Sequence, residues 1–189
     1  MGDLRRIGIA LLAAAVVPCP GQAATVSSED YAVQYDYDEF RAASDGKNFS
    51  VVIAGNPFPA LAAEEVARRL LPVMQANKPR PRLTFSYGRT AGTQRPDYRL
   101  VLVFDAANDL GAGRVCSGET RFKAHRSGQV DVFAVYCRDD KPMSQAIGRT
   151  AASGPEDKEV AQLFAQLFQV VFSDAQIVRP FNGYPGGLR

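Results

Sequence analysis

The sequence predicts an α+β fold: a mostly antiparallel sheet of about five to seven strands, with two amphipathic helices packed on one face. Several apolar segments alternate with polar residues and are separated by hairpin-length turns, which favours antiparallel strands. Two other segments, residues 60–75 and 153–172, carry apolar side chains at helical spacing, so each has one face to bury. With 189 residues, 46% of them hydrophobic, the chain is long enough for one globular domain.

The strand predictions rest on alternation and on turn signals. Residues 98–104 are the most apolar segment, and the four consecutive aliphatic residues from Leu100 to Val103 predict a central strand that is buried on both faces. The sequence Gly55-Asn56-Pro57 marks the end of an earlier strand. In chain order the predicted strands cover residues 33–37 (a possible first strand), 49–54, 83–87, 98–104, 114–117, 120–126, 129–138 and 143–151.

The two helix predictions differ in one respect. In residues 60–75, Val66, Leu70 and Met74 share a face, but Pro72 inside the segment predicts a kink or a restart. Residues 153–172 begin with a serine and a glutamate at capping-box spacing, and a wide apolar stripe follows. The second segment therefore has the clearer helical pattern.

The N-terminus has the pattern of a secretory signal peptide. Arg5 and Arg6 precede an apolar run over residues 7–17, and small residues follow, which predicts cleavage after Ala23. The run is shorter than the roughly 20 apolar residues that span a bilayer. We therefore expect an exported, periplasmic protein, with lipid anchoring through Cys19, and hence a peripheral membrane location, as the alternative.

The predicted domain organisation has four parts. Residues 1–23 are the signal peptide, and residues 24–47 form a polar N-terminal arm with the possible first strand. Residues 48–174 form a single α+β domain. Residues 175–189 are rich in proline and glycine, which predicts a flexible C-terminal tail.

Composition excludes several kinds of chemistry. The chain has one histidine, three cysteines and no tryptophan, so it cannot build a histidine-rich metal site. It contains no nucleophile elbow, phosphate-binding loop or zinc-protease motif. We therefore predict no catalytic residues, metal or cofactor, and favour a non-enzymatic role while leaving the enzyme question open.

Cysteine usage predicts one structural bond. Cleavage after Ala23 would leave Cys116 and Cys137, and two cysteines in an exported protein favour a disulfide. A reactive thiol would need a nearby base, for which His125 is the one histidine in the chain. The sequence favours the disulfide.

Charge is segregated although the formal net charge is only +2. Residues 29–45 hold six acidic side chains and one arginine, whereas residues 78–99 hold six basic side chains and one aspartate. Arginines beside aromatic residues can bind phosphates or polyanions. The alternative is that the arginines are solvated or pair with the acidic segment. The candidate binding residues are Arg80, Arg82, Tyr87, Arg89 and Tyr98.

Three segments together resemble a known family. Residues 51–58 (VVIAGNPF), 95–101 (RPDYRLV) and 140–142 (DKP), with the signal peptide and the spaced cysteines, are similar to an uncharacterised family of Gram-negative envelope proteins, periplasmic or lipoprotein-like. The resemblance implies a periplasmic or membrane-peripheral location. It implies no reaction.

The sequence thus predicts an exported periplasmic domain that binds an envelope protein partner or an anionic envelope component, such as lipid or cell-wall polymer, and no nucleic acid. One alternative is a small hydrolase whose loops carry carboxylates and serine, which would require Asp105, Asp109 and His125 to converge in a deep pocket. Another is a purely structural envelope protein.

Overall fold

The computed structural model describes residues 23–87 and 97–175. The predicted signal peptide with Cys19, the candidate Arg89 and most of the predicted tail lie outside these ranges. Among the described residues, the helices are too short or too polar to cross a membrane.

The described chain forms one six-stranded mixed sheet and four helices. The strand order across the sheet is β1-β6-β5-β4-β2-β3. Three neighbouring pairs are antiparallel, and β2 runs parallel to both β3 and β4, so the predicted α+β class with a mostly antiparallel sheet is confirmed. In chain order the elements are β1 (Thr25–Tyr31), α1 (Tyr37–Ser44), β2 (Asn48–Ala54), α2 (Ala63–Ala76), β3 (Thr84–Tyr87), β4 (Tyr98–Phe104), α3 (Ala112–Cys116), β5 (Gln129–Arg138), β6 (Lys141–Ala151) and α4 (Lys158–Val171).

The central strand β4 separates two hydrophobic cores. Because successive side chains of a strand point to opposite faces, Leu100 and Leu102 enter the larger core while Val101 and Val103 enter the smaller one. Helices α1, α2 and α4 cover the larger core, and α3 with its flanking loops covers the smaller one. The strand is buried on both faces, as the aliphatic run predicts.

Helix α4 packs closely on β6 because the strand has a glycine where the two meet. A Cβ at Gly148 would lie 2.8 Å from Leu163 Cδ1. The apolar stripe of α4 is fully buried over the larger core, and α2 packs beside it. Both predicted amphipathic helices thus lie on one face, and α2 continues through Pro72 from Ala63 to Ala76 without the predicted restart.

The N-terminal region differs from its prediction. Residues 33–37 are not a strand; the first strand is β1, an exposed polar edge strand that pairs with β6. Residues 37–44 form helix α1, in which Asp36 caps the N-terminus by accepting from the backbone N–H of Asp38. The tyrosines that suggested alternation pack across a loop, where the Tyr35 hydroxyl donates to the carbonyl of Ser173 at 2.8 Å.

Two short strand predictions are also wrong. Residues 114–117 fall in and just after α3, where Val115 and Cys116 turn inward. Residues 120–126 form one isolated bridge, from Phe122 to Ala106, and no strand. This segment is not a strand of the sheet, because its backbone hydrogen bonds go to Asp105 and Ala107 in the loop after β4 rather than to a strand.

The predicted disulfide is present. Cys116 in α3 bonds to Cys137 in β5, with Cα atoms 5.6 Å apart, and both residues are buried. The bond fixes α3 on the sheet over the smaller core. That core depends on a five-residue helix, which is too short to be stable alone.

Candidate functional site

We call the candidate binding residues Arg80, Arg82, Tyr87, Arg89 and Tyr98 the predicted basic surface. Its two described arginines form ion pairs. Arg82 approaches Asp45 at 3.7 Å, and Arg80 approaches Asp174 at 4.0 Å. Both arginine side chains are largely exposed, so these contacts contribute little stability. The pair of Arg82 with Asp45 joins the basic segment to the acidic one, which was the alternative left open by the sequence.

The two tyrosines of that surface are engaged inside the fold. Tyr98 is buried, and its hydroxyl donates to Glu39 at 2.5 Å. The hydroxyl of Tyr87 donates to the carbonyl of Ala67 at 2.6 Å. Each of the four described candidates therefore has a partner within the chain.

Glu39 connects α1 to the end of the sheet where β4 begins and β5 ends. Besides the Tyr98 hydroxyl, the Arg138 guanidinium donates to both carboxylate oxygens at 2.9 and 3.0 Å. The hydrogen bond from Tyr98 and the hydrogen bond and charge of Arg138 outweigh burial and lower the pKa of Glu39. A lowered folded pKa means that the interaction stabilises the fold above the unfolded pKa and is lost as pH falls through the folded pKa.

We expect Glu39→Gln to lower the free energy of unfolding at pH 7 by about 1–3 kcal/mol, because charge-assisted hydrogen bonds are lost. The difference from the parent should shrink as pH falls from about 5 to about 3, where the parent carboxylate protonates. Urea unfolding across this pH range measures it, with the exposed Glu64→Gln as control. A difference that stays constant with pH would contradict this account.

A different group of charged side chains forms one wall of a small cleft at the end of the sheet where β4 ends and β5 begins. The cleft has a volume of about 60 Å³ and lies between the loop after β4 and the strands β5 and β6. The lining residues are Ala106, Ala107, Asn108, Leu110, Lys123, Asp131, Phe133, Ile147 and Arg149.

The charged wall of the cleft is built around Asp131. Lys123 Nζ and Arg149 Nε both donate to Asp131 Oδ2, at 2.7 and 2.9 Å. Burial alone would raise the pKa of Asp131, but the hydrogen bonds and charges of Lys123 and Arg149 outweigh it and lower that pKa. Asp131 is therefore ionised at neutral pH, and the three charged lining residues carry a net charge of about +1.

The strand register places these groups together. Asp131 in β5 lies directly across from Arg149 in β6, and opposite charges at facing positions attract. Lys123 reaches Asp131 because the backbone N–H of Lys123 donates to the carbonyl of Asp105, directly after β4. The N–H of Asp105 in turn donates to the carbonyl of Asp131.

Asp105 and His125 form a second pair beside this wall. Asp105 Oδ2 lies 2.8 Å from His125 Nδ1, and the carboxylate is nearly buried. Asp105 has φ of 49°, in the left-handed region, which aspartate adopts more readily than most residues. A carboxylate that orients an imidazole is an arrangement that can hold or transfer a proton.

The segment after α3 comes close to the end of β2 at a glycine. Gly55 has φ of 83°, and a Cβ there would lie 2.6 Å from the carbonyl oxygen of Phe104. The ring of Phe122 lies over the same position, 3.1 Å from where that Cβ would be, and is about half exposed. This packing places Phe122, the residue before Lys123, against the end of β2.

The structure brings together two of the three residues named for a hydrolase site. Asp105 meets His125, but Asp109 pairs with Arg121 at 2.6 Å on the surface. The cleft wall of Lys123, Asp131 and Arg149 was missed by the sequence analysis. The available signal was a pair of opposite charges, Asp131 and Arg149, in two strands joined by a hairpin. The two residues face each other only in one register of the strands.

Among the described residues, no cluster of histidine, cysteine, aspartate and glutamate could hold a metal ion.

Comparison with known proteins gives matches among solved structures. No protein-family model and no curated protein matches the chain. The solved structures that align with it include the PelC dodecamer of Paraburkholderia phytofirmans and a variant of that dodecamer carrying a leucine-to-methionine substitution. The first is 16% identical, with a TM-score of 0.43, and covers 81% of this chain and 99% of its own. The variant is 14% identical, with a TM-score of 0.42, and covers 80% and 99%.

Proposed function

We propose that this chain is an exported, non-enzymatic domain that binds an anionic component of the cell envelope, and that the cleft of Lys123, Asp131 and Arg149 is its binding site. The observation that carries the proposal is the convergence of two cations on a single carboxylate oxygen at the cleft wall. One negative charge against two positive charges leaves an excess that an anionic ligand can neutralise. The site therefore differs from the basic surface that the sequence predicts.

Export is supported by the disulfide. The bond between Cys116 and Cys137 is buried and joins two elements of the smaller core, and such bonds persist in oxidising compartments such as the periplasm. The N-terminal pattern of two arginines and a short apolar run points the same way. The resemblance to Gram-negative envelope proteins fits this location.

Arg149 is the residue on which to test binding. Its side chain is about half exposed, so its substitution removes a cation from the cleft without opening the core. We expect the parent to bind poly-L-glutamate at low salt, with affinity falling as salt rises. Arg149→Gln should weaken binding by about tenfold, or roughly 1.4 kcal/mol, because it removes one of the two cations of the cleft wall. Arg149→Glu should weaken binding more, because it also adds a negative charge.

The matched control is Arg68, an exposed arginine that likewise pairs with a carboxylate, that of Glu65, but lies on α2, on the opposite face of the sheet. Arg68→Gln and Arg68→Glu change the net charge equally and should leave binding almost unchanged. Vesicles containing phosphatidylglycerol serve as a second probe, to separate lipid from polymer. Equal weakening of binding by the Arg149 and the Arg68 substitutions would contradict a localised site. Ester hydrolysis that is abolished by His125→Asn would favour the hydrolase instead.

A further inference from the structure

The cleft has room for only a few ligand atoms. Its volume of about 60 Å³ is far below the roughly 300–1,000 Å³ of pockets that enclose a whole small molecule. A ligand bound here therefore inserts one end group and leaves the rest outside.

The charge at the wall selects the type of anion. Lys123 and Arg149 against Asp131 leave about one positive charge among the lining residues. A monoanion neutralises this excess, whereas a phosphate with two charges would leave a net negative charge at the wall once bound. The guanidinium of Arg149 is also suited to a planar carboxylate.

The remaining walls are largely apolar. Alanine, leucine, isoleucine and phenylalanine side chains face the space beside the two cations, and they favour a ligand that buries an aliphatic group there. Asn108 supplies an amide that can both donate and accept a hydrogen bond, which suits a neighbouring peptide group. The apolar lining residues are Ala106, Ala107, Leu110, Phe133 and Ile147.

We propose that the end group is a carboxylate attached to a small aliphatic group, as presented by the C-terminal alanine of a peptide. The carboxylate binds Lys123 and Arg149 beside Asp131, and the methyl group lies against the apolar walls. The carboxylate, its neighbouring carbon and the methyl group form a small end group, in keeping with the small volume of the cleft. This proposal rests on the proposed function and specifies its ligand.

The test uses small probes with the folded mature chain, with binding followed through the backbone amide signals of Ala107 and Lys123 in NMR titrations. N-acetyl-alanyl-alanine presents the proposed end group, and its C-terminal amide lacks the charge. N-acetyl-alanyl-phenylalanine is too large for the space, propionate represents a free short acid, and inorganic phosphate represents a dianion. We expect N-acetyl-alanyl-alanine to bind about tenfold more tightly than its amide, the phenylalanine peptide or phosphate.

Two variants localise the effect. Ala107→Leu fills the cleft and should weaken N-acetyl-alanyl-alanine binding by about tenfold, as should Arg149→Gln. Ala42→Leu, at an exposed position of α1, is the matched control and should not change it. Retained amide-signal dispersion and melting temperature establish that each variant is folded.

The outcomes separate the two proposals. Tighter binding of propionate than of the alanine peptide assigns the site to free short acids and overturns the peptide assignment. Poly-L-glutamate binding that depends on Arg149, with phosphate or the phenylalanine peptide bound as tightly as the alanine peptide, overturns the small-carboxylate assignment alone. Absence of binding by every probe, including poly-L-glutamate, overturns the proposed function as well.

Discussion

Replacing Cys116 and Cys137 together by alanine should lower the free energy of unfolding by about 3 kcal/mol, because the crosslink no longer restricts the unfolded chain. The two cysteines are 21 positions apart, which sets the size of the closed loop. The folded state also loses the tether that holds α3 over Val101 and Val103. Urea unfolding of the mature chain measures the loss. In NMR spectra of the folded double variant and the parent, the largest differences in backbone amide shift should fall in α3 and the smaller core.

The parent under reducing conditions is the internal control for this experiment. Its unfolding midpoint should fall to that of the double variant, while Ser117→Ala, at an exposed position beside the bond, should match the oxidised parent. A double variant within about 1 kcal/mol of the oxidised parent would contradict a stabilising role.

Phe40→Ala should destabilise the fold by about 3–5 kcal/mol, the range for removing a fully buried aromatic side chain. Phe40 is inaccessible to solvent and anchors α1 in the larger core. Its ring stacks on Phe172 at 4.3 Å and contacts Phe49 and Tyr136 edge-on, both at 5.6 Å. The substitution therefore leaves a cavity where α1, the sheet and the end of α4 meet.

Thermal and urea unfolding measure this loss, and two further variants calibrate it. Phe40→Leu retains most of the buried volume and should cost less than Phe40→Ala. Val33→Ala changes a side chain that is 97% exposed and should have almost no effect. If Phe40→Ala is as mild as Val33→Ala, the role assigned to α1 in the core is wrong.

Much of the sheet was predictable because its central elements have strong local patterns. The aliphatic run of β4 requires burial on both faces, the apolar residues 132–137 of β5 are likewise all buried, and β6 alternates between buried and more exposed residues over most of its length. Helix α4 places its apolar residues on one stripe, so its assignment needed no knowledge of the partner.

The missed elements are short or exposed, so their patterns are weak. Strand β1 is an edge strand with mostly exposed side chains, and its pairing with β6 decides that it is a strand. Helix α1 spans eight residues and α3 spans five, too few for a helical period to stand out. The apolar residues Val115 and Cys116 fit a strand equally well until the disulfide and the sheet fix their position.

The sequence alone determined the α+β class, the central strands, the two long helices and the pairing of the two cysteines, because each depends on local periodicity or on residue count. It also revealed the opposite charges of residues 29–45 and 78–99, but not where their side chains point. Tertiary structure decided that Arg82 meets Asp45 and that Tyr98 meets Glu39. It also decided that Lys123, Asp131 and Arg149 share one cleft wall. Strand register sets the distance between Asp131 and Arg149, and the backbone pairing of Lys123 with Asp105 brings Lys123 to Asp131.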